Sequence, residues 1–253
     1  MKRISLVLIA LVLSSCAKHG NPVSAPQAPV ELDIARYSSS LASGYFKVWS
    51  DSSWERYAGT DTVYGIMYYT EMMSDSTVYY YAPSALYPTF LLYSGFRAAG
   101  DSLVIFDVPM KPLPDTMQLG KVYTSTTTFF YRGYDYTLTF NQSALDTMTL
   151  SVPVGTFQRC VRMYRESILT AGGQTQIQRV GYWLAEGPAA IKEILNSGAT
   201  IVMVRGSVNG QTWSPYSSAR RLPTPKNRLS QSPQIQVGAI AIHGMPFAPI
   251  SIQ

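Results

Sequence analysis

The residues able to carry nucleophilic or acid–base chemistry are few and far apart in this sequence. Its two histidines, His19 and His243, lie near the two ends, and none occurs between residues 31 and 213. A catalytic Ser or Cys needs an adjacent base, and zinc sites usually include histidine. The sequence therefore predicts neither a Ser/Cys–His system nor a histidine-based metal site in this part of the chain.

Acidic residues are the remaining candidates, because paired carboxylates can hydrolyse glycosides. The fifteen Asp and Glu are scattered singly, and we interpret them as solvated residues, mostly at turns. The sequence also lacks the glycine-rich phosphate loops and the G-x-S-x-G nucleophile elbow. We therefore predict a protein that is not an enzyme, with no catalytic residue, cofactor or metal. The turn-like acids include Asp61, Asp75, Asp101 and Asp115.

Residues 1–15 have the layout of a signal peptide. Lys2 and Arg3 give a positive start, and an apolar run of ten residues, 4–13, follows. This run is too short for a transmembrane helix, which needs about 20 residues to cross ~30 Å of hydrocarbon. Cys16 stands directly after the end of the run.

The stretch Leu13-Ser14-Ser15-Cys16 resembles the lipobox of bacterial lipoprotein leaders. The resemblance implies cleavage before Cys16 and acylation of its thiol, which would attach the protein stably to a membrane of the cell envelope. Ala17, rather than Asp, follows the cysteine, and by analogy with enterobacterial sorting this favours the outer membrane. The alternative is an ordinary secretory signal followed by an unrelated cysteine.

Once Cys16 is acylated, Cys160 is the remaining cysteine, so no intramolecular disulfide is expected. Cys160 lies in an apolar, strand-like segment, and we interpret it as a buried structural thiol. A reactive thiol would need an exposed, electropositive site. Arg159 and Arg162 flank it, which keeps that alternative open.

The composition favours a β-sheet. Only 14% of the residues are charged, against about 25% in an average soluble domain, and 18 are tyrosines. Aromatic and β-branched side chains suit the pleated surface of a sheet. Between 134 and 141, the apolar residues Tyr134, Tyr136, Leu138 and Phe140 alternate with polar ones, as in a strand with one face in the core. We predict an antiparallel, mainly β body with little helix.

Four segments follow from the distribution of prolines and charges. We predict a signal peptide at 1–15, a flexible proline-containing tether at 16–30, an antiparallel β domain at 31–213, and a basic loop with an apolar C-terminal tail at 214–253. Residues 31–205 hold 13 Lys and Arg against all 15 Asp and Glu, so the basicity belongs to the tail. The body has no basic stripe, and we predict no nucleic-acid partner.

Turn residues divide the body into about a dozen strands. We predict turns at 74–76, at Arg132 and Gly133, and at Gly172 and Gly173, with a short helix at 34–42. Pro109, Pro112 and Pro114 are expected to interrupt the sheet, because proline cannot donate to a ladder. Predicted strands include 53–58, 62–73, 77–82, 102–108, 122–131, 134–141, 147–152, 157–168 and 199–207.

Two motifs resemble a pattern found in uncharacterised bacterial envelope lipoproteins, similar to LolA-like proteins. The first reads V-P-V-G-T-F over 152–157, and the second reads Y-W-L-A-E-G over 182–187. Pro188 and Ala189 depart from the pattern, whereas Ile191 and Lys192 keep its apolar-Lys ending. The resemblance covers about 45 residues and implies a strongly curved open sheet, or half-barrel, around an apolar cavity. It implies no catalytic residue.

The predicted function is a membrane-anchored envelope lipoprotein whose non-catalytic β domain is a binding or scaffold module. Its partners would be the membrane, through Cys16, and an envelope protein. The alternative is a carrier of an apolar ligand such as a lipid, held by a LolA-like cavity. The richest aromatic cluster is the candidate face for that ligand: Tyr68, Tyr69, Tyr79, Tyr80 and Tyr81.

Overall fold

The computed structural model describes residues 29–38, 41–83, 91–111, 113–208 and 210–215. The chain divides into two units, Met1–Val30 and Glu31–Gln253, and the second contains all the regular structure described. A 3-10 helix spans Ile34–Tyr37. The strands are β1 (Glu31–Asp33), β2 (Phe46–Trp49), β3 (Trp54–Val63), β4 (Ile66–Met73), β5 (Val78–Pro83), β6 (Leu91–Arg97), β7 (Leu103–Met110), β8 (Thr116–Gln118), β9 (Val122–Tyr131), β10 (Tyr134–Val152), β11 (Gly155–Ala171), β12 (Gln174–Ala185), β13 (Ala189–Ile194), β14 (Thr200–Val208) and β15 (Gln211–Trp213).

Thirteen of these strands form one antiparallel sheet. Their order is β7-β6-β5-β4-β3-β2-β14-β13-β12-β11-β10-β9, with β15 paired to β14, while β1 and β8 form a separate two-stranded sheet. The large sheet curls until its end strands, β7 and β9, face each other across a seam. The predicted fold class, mainly β with a strongly curved antiparallel sheet and little helix, is confirmed as a nearly closed barrel.

Side chains, rather than a backbone ladder, close the seam between β7 and β9. The Thr127 hydroxyl donates to the Val108 carbonyl at 2.7 Å, and the Val108 N–H donates to the Thr127 hydroxyl oxygen at 3.4 Å. The Thr128 hydroxyl donates to the Asp107 carboxylate. On the inner side, the rings of Phe106 and Phe129 lie 5.4 Å apart. The seam is thus held by a few side-chain contacts.

The longest hairpin, β10–β11, bends through two register shifts. Residues 134–141 and 147–152, predicted as separate strands, belong to the single strand β10. The pairing with β11 is irregular between Ala144 and Asp146 and again between Met148 and Leu150. Such bulges bend a strand and increase its twist, which lets one long hairpin follow the curvature of the barrel.

Two expectations about chain breaks are wrong. The strand predicted at 62–73 is a hairpin, because Tyr64 and Gly65 have φ of 51° and 78° and form its turn. Bulky residues seldom adopt positive φ, so a tyrosine at position 64 does not indicate a turn in the sequence. Pro109 does not end its strand, since β7 continues to Met110. A proline is tolerated there because the outer edge of β7 faces the seam and needs no ladder donor.

The predicted turns agree with the structure, and the predicted helix does so in part. The turns at 74–76, at Arg132 and Gly133, and at Gly172 and Gly173 are confirmed between the predicted strands. The V-P-V-G segment forms the β10–β11 turn, where Gly155 has φ 147°. The helix predicted at 34–42 is reduced to the 3-10 helix Ile34–Tyr37.

The signal peptide, Cys16, the tether as far as residue 28, and the tail from 216 onward lie outside the described residues. They stay predictions. Among the residues that are described, no helix is long and apolar enough to cross a membrane.

Aromatic rings from opposite walls meet inside the barrel. Tyr93 on β6 contacts Phe106 at 4.8 Å between ring centroids and stacks on Phe140 of β10 at 6.4 Å. Phe129 on β9 stacks on Tyr136 of β10 at 5.2 Å. These rings are almost completely buried, so this part of the interior is filled by side chains.

Candidate functional site

Charged side chains buried inside the barrel form the candidate site. In a strand, alternate side chains point to the same face, so a charged residue between two inward apolar positions is carried into the core. Glu71 shares the inner face of β4 with Tyr69 and Met73. Within the described residues, the buried charged side chains are Lys47, Glu55, Glu71, Arg165 and Glu193.

Lys47 and Glu55 form a fully enclosed ion pair. They are directly opposite on β2 and β3, and Lys47 Nζ lies 3.2 Å from Glu55 Oε1. The Tyr45 hydroxyl donates to the same carboxylate oxygen at 2.7 Å. Lys47 Nζ also lies 5.9 Å from the ring centroid of Trp49, within cation–π range. These contacts offset part of the cost of removing both charges from water.

Glu71 lies beside this pair and shares its surroundings. The Tyr81 hydroxyl donates to Glu71 Oε2 at 2.9 Å, whereas Glu71 Oε1 is buried without a hydrogen-bond partner among the described residues. Burial, reinforced by the negative charge of Glu55, raises the pKa of Glu71 to about 8. A carboxyl group with this pKa is largely protonated at neutral pH, and the unpartnered Oε1 is free to carry the proton.

A second group of polar side chains surrounds Arg165 on β11. Its guanidinium carbon lies 5.5 Å from the ring centroid of Phe140 and 5.7 Å from that of Tyr182. Gln142 faces Arg165 across the β10–β11 pair and accepts a hydrogen bond from the Tyr182 hydroxyl at 3.0 Å. Arg165 therefore lies in an aromatic wall of the interior.

The interpretation of the acids as solvated residues is wrong for three of them. Glu55, Glu71 and Glu193 are buried inside the barrel, because strand alternation directs them inward. Asp101, by contrast, lies at the surface near a turn, as predicted, and binds the Tyr131 hydroxyl and Arg132. The alternation of Glu71 with Tyr69 and Met73 is a sequence signal that could have revealed its burial.

The five tyrosines predicted as one ligand face lie on two faces of the sheet. Tyr69, Tyr79 and Tyr81 belong to the inner side, where they pack with the aromatic core. Tyr68 and Tyr80 belong to an apolar cluster on the other side, and their rings meet edge to face at 6.0 Å. The structure therefore brings Tyr69, Tyr79 and Tyr81 together on the inner side and places Tyr68 and Tyr80 on the opposite side of the sheet. The reason is that neighbouring residues in a strand point in opposite directions.

Cys160 has the structural role that the sequence favours. It is completely buried, and its thiol donates to the Phe157 carbonyl at 3.4 Å. Burial raises the pKa of the Cys160 thiol, which opposes formation of the reactive thiolate. In the described part of the chain, no group of three or more His, Cys, Asp or Glu side chains is arranged to hold a metal ion.

Fold and site together define a nearly closed antiparallel barrel with charged groups in an aromatic interior. No protein-family model matches the chain, and no curated protein does. Two solved structures are similar to it: a candidate lipoprotein from Parabacteroides distasonis, at 8% identity and a TM-score of 0.33, and a candidate exported protein with a YmcC-like fold from Bacteroides fragilis, at 10% and 0.26. Each match covers 66% of this chain and 97% of the other. Similarity at this level does not establish a common fold or function, and the likeness to LolA-like proteins stays a prediction.

Proposed function

We propose that this protein is a lipoprotein of the bacterial envelope whose barrel is a non-catalytic binding or scaffold module. The lipobox ending in Cys16 supports attachment to the membrane, and Ala17 supports the outer membrane. The barrel would then act outside the cytoplasm, beside the membrane that holds its N-terminal cysteine.

The main support for a non-catalytic role is that the interior carboxyl groups are buried and hydrogen-bonded within the barrel. Glu55 and Glu71 have no exposed surface, and each accepts a hydrogen bond from a tyrosine hydroxyl. A general acid or base must reach the substrate within hydrogen-bond distance, directly or through one water. Glu55 is engaged by Lys47 and Tyr45, and Glu71 by Tyr81, so both carboxyl groups take part in the barrel's own contacts, which supports binding rather than turnover.

A protruding hairpin offers a surface for an envelope protein. Residues 61–68 are here called the β3–β4 tip. In the described part of the chain they pair only with each other, beyond the points where β2 and β5 stop pairing with this hairpin. Tyr64 is 92% exposed, Ile66 51% and Met67 46%. Exposed apolar residues grouped in this way are typical of interaction sites.

Two experiments test these parts separately. Replacing Cys16 with Ser should move the protein from the membrane fraction to the aqueous fraction, and retention on the membrane without acylation would contradict the anchor. A photo-crosslinking residue at Tyr64 should capture a defined envelope protein, while the same residue at Asp135, exposed on β10, should not. Equal crosslinking at both sites would contradict a specific role for the β3–β4 tip.

Carriage of an apolar ligand is the second candidate, and the seam favours it. The rings behind the seam, Phe96, Phe106 and Phe129, are apolar and mutually in contact, so parting of β7 and β9 would expose them as a binding surface. A disulfide introduced between Asp107→Cys and Thr128→Cys, whose side chains meet across the seam, should block uptake of a fluorescent lipid, and reduction should restore it. Protein that is lipid-free by native mass spectrometry and takes up no lipid would count against carriage.

A further inference from the structure

Arg165 is a buried cation with no ion pair to any residue that the structure describes. Two cations are buried among the described residues, and Lys47 is paired with Glu55. Arg165 is almost fully buried, yet no described carboxylate pairs with it, and its Nε has no hydrogen-bond acceptor. A guanidinium enclosed without a counter-charge costs several kcal/mol, which aromatic contacts offset only in part.

A second donor without an acceptor lies in the same region. The Tyr93 hydroxyl is buried and has no hydrogen-bond partner among the described residues. Burial raises the pKa of Tyr93 and of Tyr79, and the positive charge of Arg165 partly offsets this rise in both. Tyr93 stacks on Phe140 at 6.4 Å between ring centroids, and the Arg165 guanidinium carbon lies 5.5 Å from the centroid of that same Phe140 ring, so Tyr93 and Arg165 share one wall of the interior.

We propose that Arg165 and Tyr93 bind the carboxylate of a ligand inside the barrel. The planar guanidinium matches a carboxylate through two parallel hydrogen bonds, and a phenol adds a third donor. A doubly charged phosphate fits less well, because the buried carboxyl group of Glu193 lies opposite Tyr182, the ring that Arg165 contacts. Phe140 and Tyr182 give the site apolar walls that suit the hydrocarbon next to the carboxylate.

The carboxylate could belong to a short free acid or to a fatty acid. A short acid needs to contact only Arg165 and Tyr93, whereas a long chain must also displace the ring contact between Phe106 and Phe129, which requires the seam to part. The inference rests on the binding role proposed for the barrel and is independent of the anchor at Cys16.

Thermal unfolding and calorimetry with acetate, butyrate, octanoate and palmitate, at constant ionic strength, test the proposal. A ligand that binds the native state raises the unfolding temperature as its concentration rises. At least one of these acids should do so, while 1-octanol, which has no charge, should not. Stabilisation by acetate or butyrate identifies a short acid, and stabilisation by octanoate or palmitate alone identifies a fatty acid.

Two substitutions show whether the effect comes from the proposed donors. Arg165→Met should weaken binding about 100-fold or more, and Tyr93→Phe about 10-fold, as expected for charge-assisted and neutral hydrogen bonds. Arg165→Met should still fold, because an apolar residue of similar length often replaces a buried charge without loss of stability. Arg179→Met, which removes an exposed arginine from β12, is the matched control and should bind normally.

Either of two results would overturn the proposal. One is the absence of stabilisation by any acid of the series, and the other is equal stabilisation of the wild-type and Arg165→Met proteins. Tyr93→Phe keeps the ring and therefore the packing, so it remains informative if Arg165→Met does not fold. Fractionation of Cys16→Ser is a separate measurement, so the membrane anchor can fail while the carboxylate site stands.

Discussion

Glu71→Gln tests whether a protonated carboxyl group stabilises the barrel. Burial raises the pKa of Glu71 from 4.5 to about 8 in the folded protein. Between these two pH values the folded state binds about one more proton than the unfolded state, so the free energy of unfolding falls as pH rises. The slope is about 1.4 kcal/mol per pH unit, and the total loss from pH 4.5 to 8 is on the order of 5 kcal/mol.

Glutamine reproduces the protonated form of Glu71. Its amide oxygen can accept the hydrogen bond from Tyr81, and its NH2 group replaces the protonated oxygen. The variant should therefore match the wild-type protein near pH 5 and exceed it by up to about 5 kcal/mol near pH 8. Urea unfolding followed by tryptophan fluorescence at pH 5, 6, 7 and 8 measures this difference.

Glu166→Gln is the control. Glu166 also lies in a strand, but it is partly exposed and pairs with Arg179 on the surface. Its substitution should leave the wild-type pH dependence between pH 5 and 8 in place. A difference between Glu71→Gln and wild type that does not change with pH would refute the protonated state of Glu71.

Two further substitutions probe the interior. Lys47→Met should destabilise the protein by about 3–5 kcal/mol, because Glu55 loses its counter-ion. The double variant Lys47→Met/Glu55→Gln should recover most of that loss in urea unfolding. A Lys47→Met variant as stable as wild type would contradict the ion pair. Gly95→Ala should lower the free energy of unfolding by about 3 kcal/mol or more, because its Cβ would lie 2.1 Å from the Val104 carbonyl oxygen. Gly181→Ala, whose nearest contact would be 3.9 Å, is its control and should change stability little.

Local patterns predict much of the sheet because they act within one strand or one turn. Tyr134, Tyr136, Leu138 and Phe140 alternate with polar residues, and the last three are buried as predicted, whereas Tyr134, next to the turn, is 42% exposed. The turn at Arg132 and Gly133 follows from a glycine that adopts positive φ readily. Such signals need no knowledge of distant residues.

Closure of the barrel and the interior ion pairs depend on residues far apart in sequence. Thr127 on β9 meets Val108 on β7 across the seam only after the ten strands between β7 and β9 have set the curvature of the sheet. Glu71 alternates with apolar residues, but its interaction with Tyr81 depends on how β4 pairs with β5. Acidic residues are rarely buried, so their type alone predicts a solvated position, whereas the alternation of Glu71 with Tyr69 and Met73 indicates the interior.

The high tyrosine content and the buried carboxyl groups have a common physical explanation. A phenylalanine core would remove the hydroxyl groups that donate to Glu55 and Glu71, at a cost of several kcal/mol. Tyrosine supplies both the ring that fills the interior and the hydroxyl that binds the carboxyl group, as Tyr45 and Tyr81 do here. Burial and the nearby carboxyl groups raise the pKa of both phenols well above 10, so each stays protonated and able to donate. The Tyr93 hydroxyl, also kept protonated by burial, has no such carboxylate among the described residues, and a ligand that brings one would complete the same arrangement at Arg165.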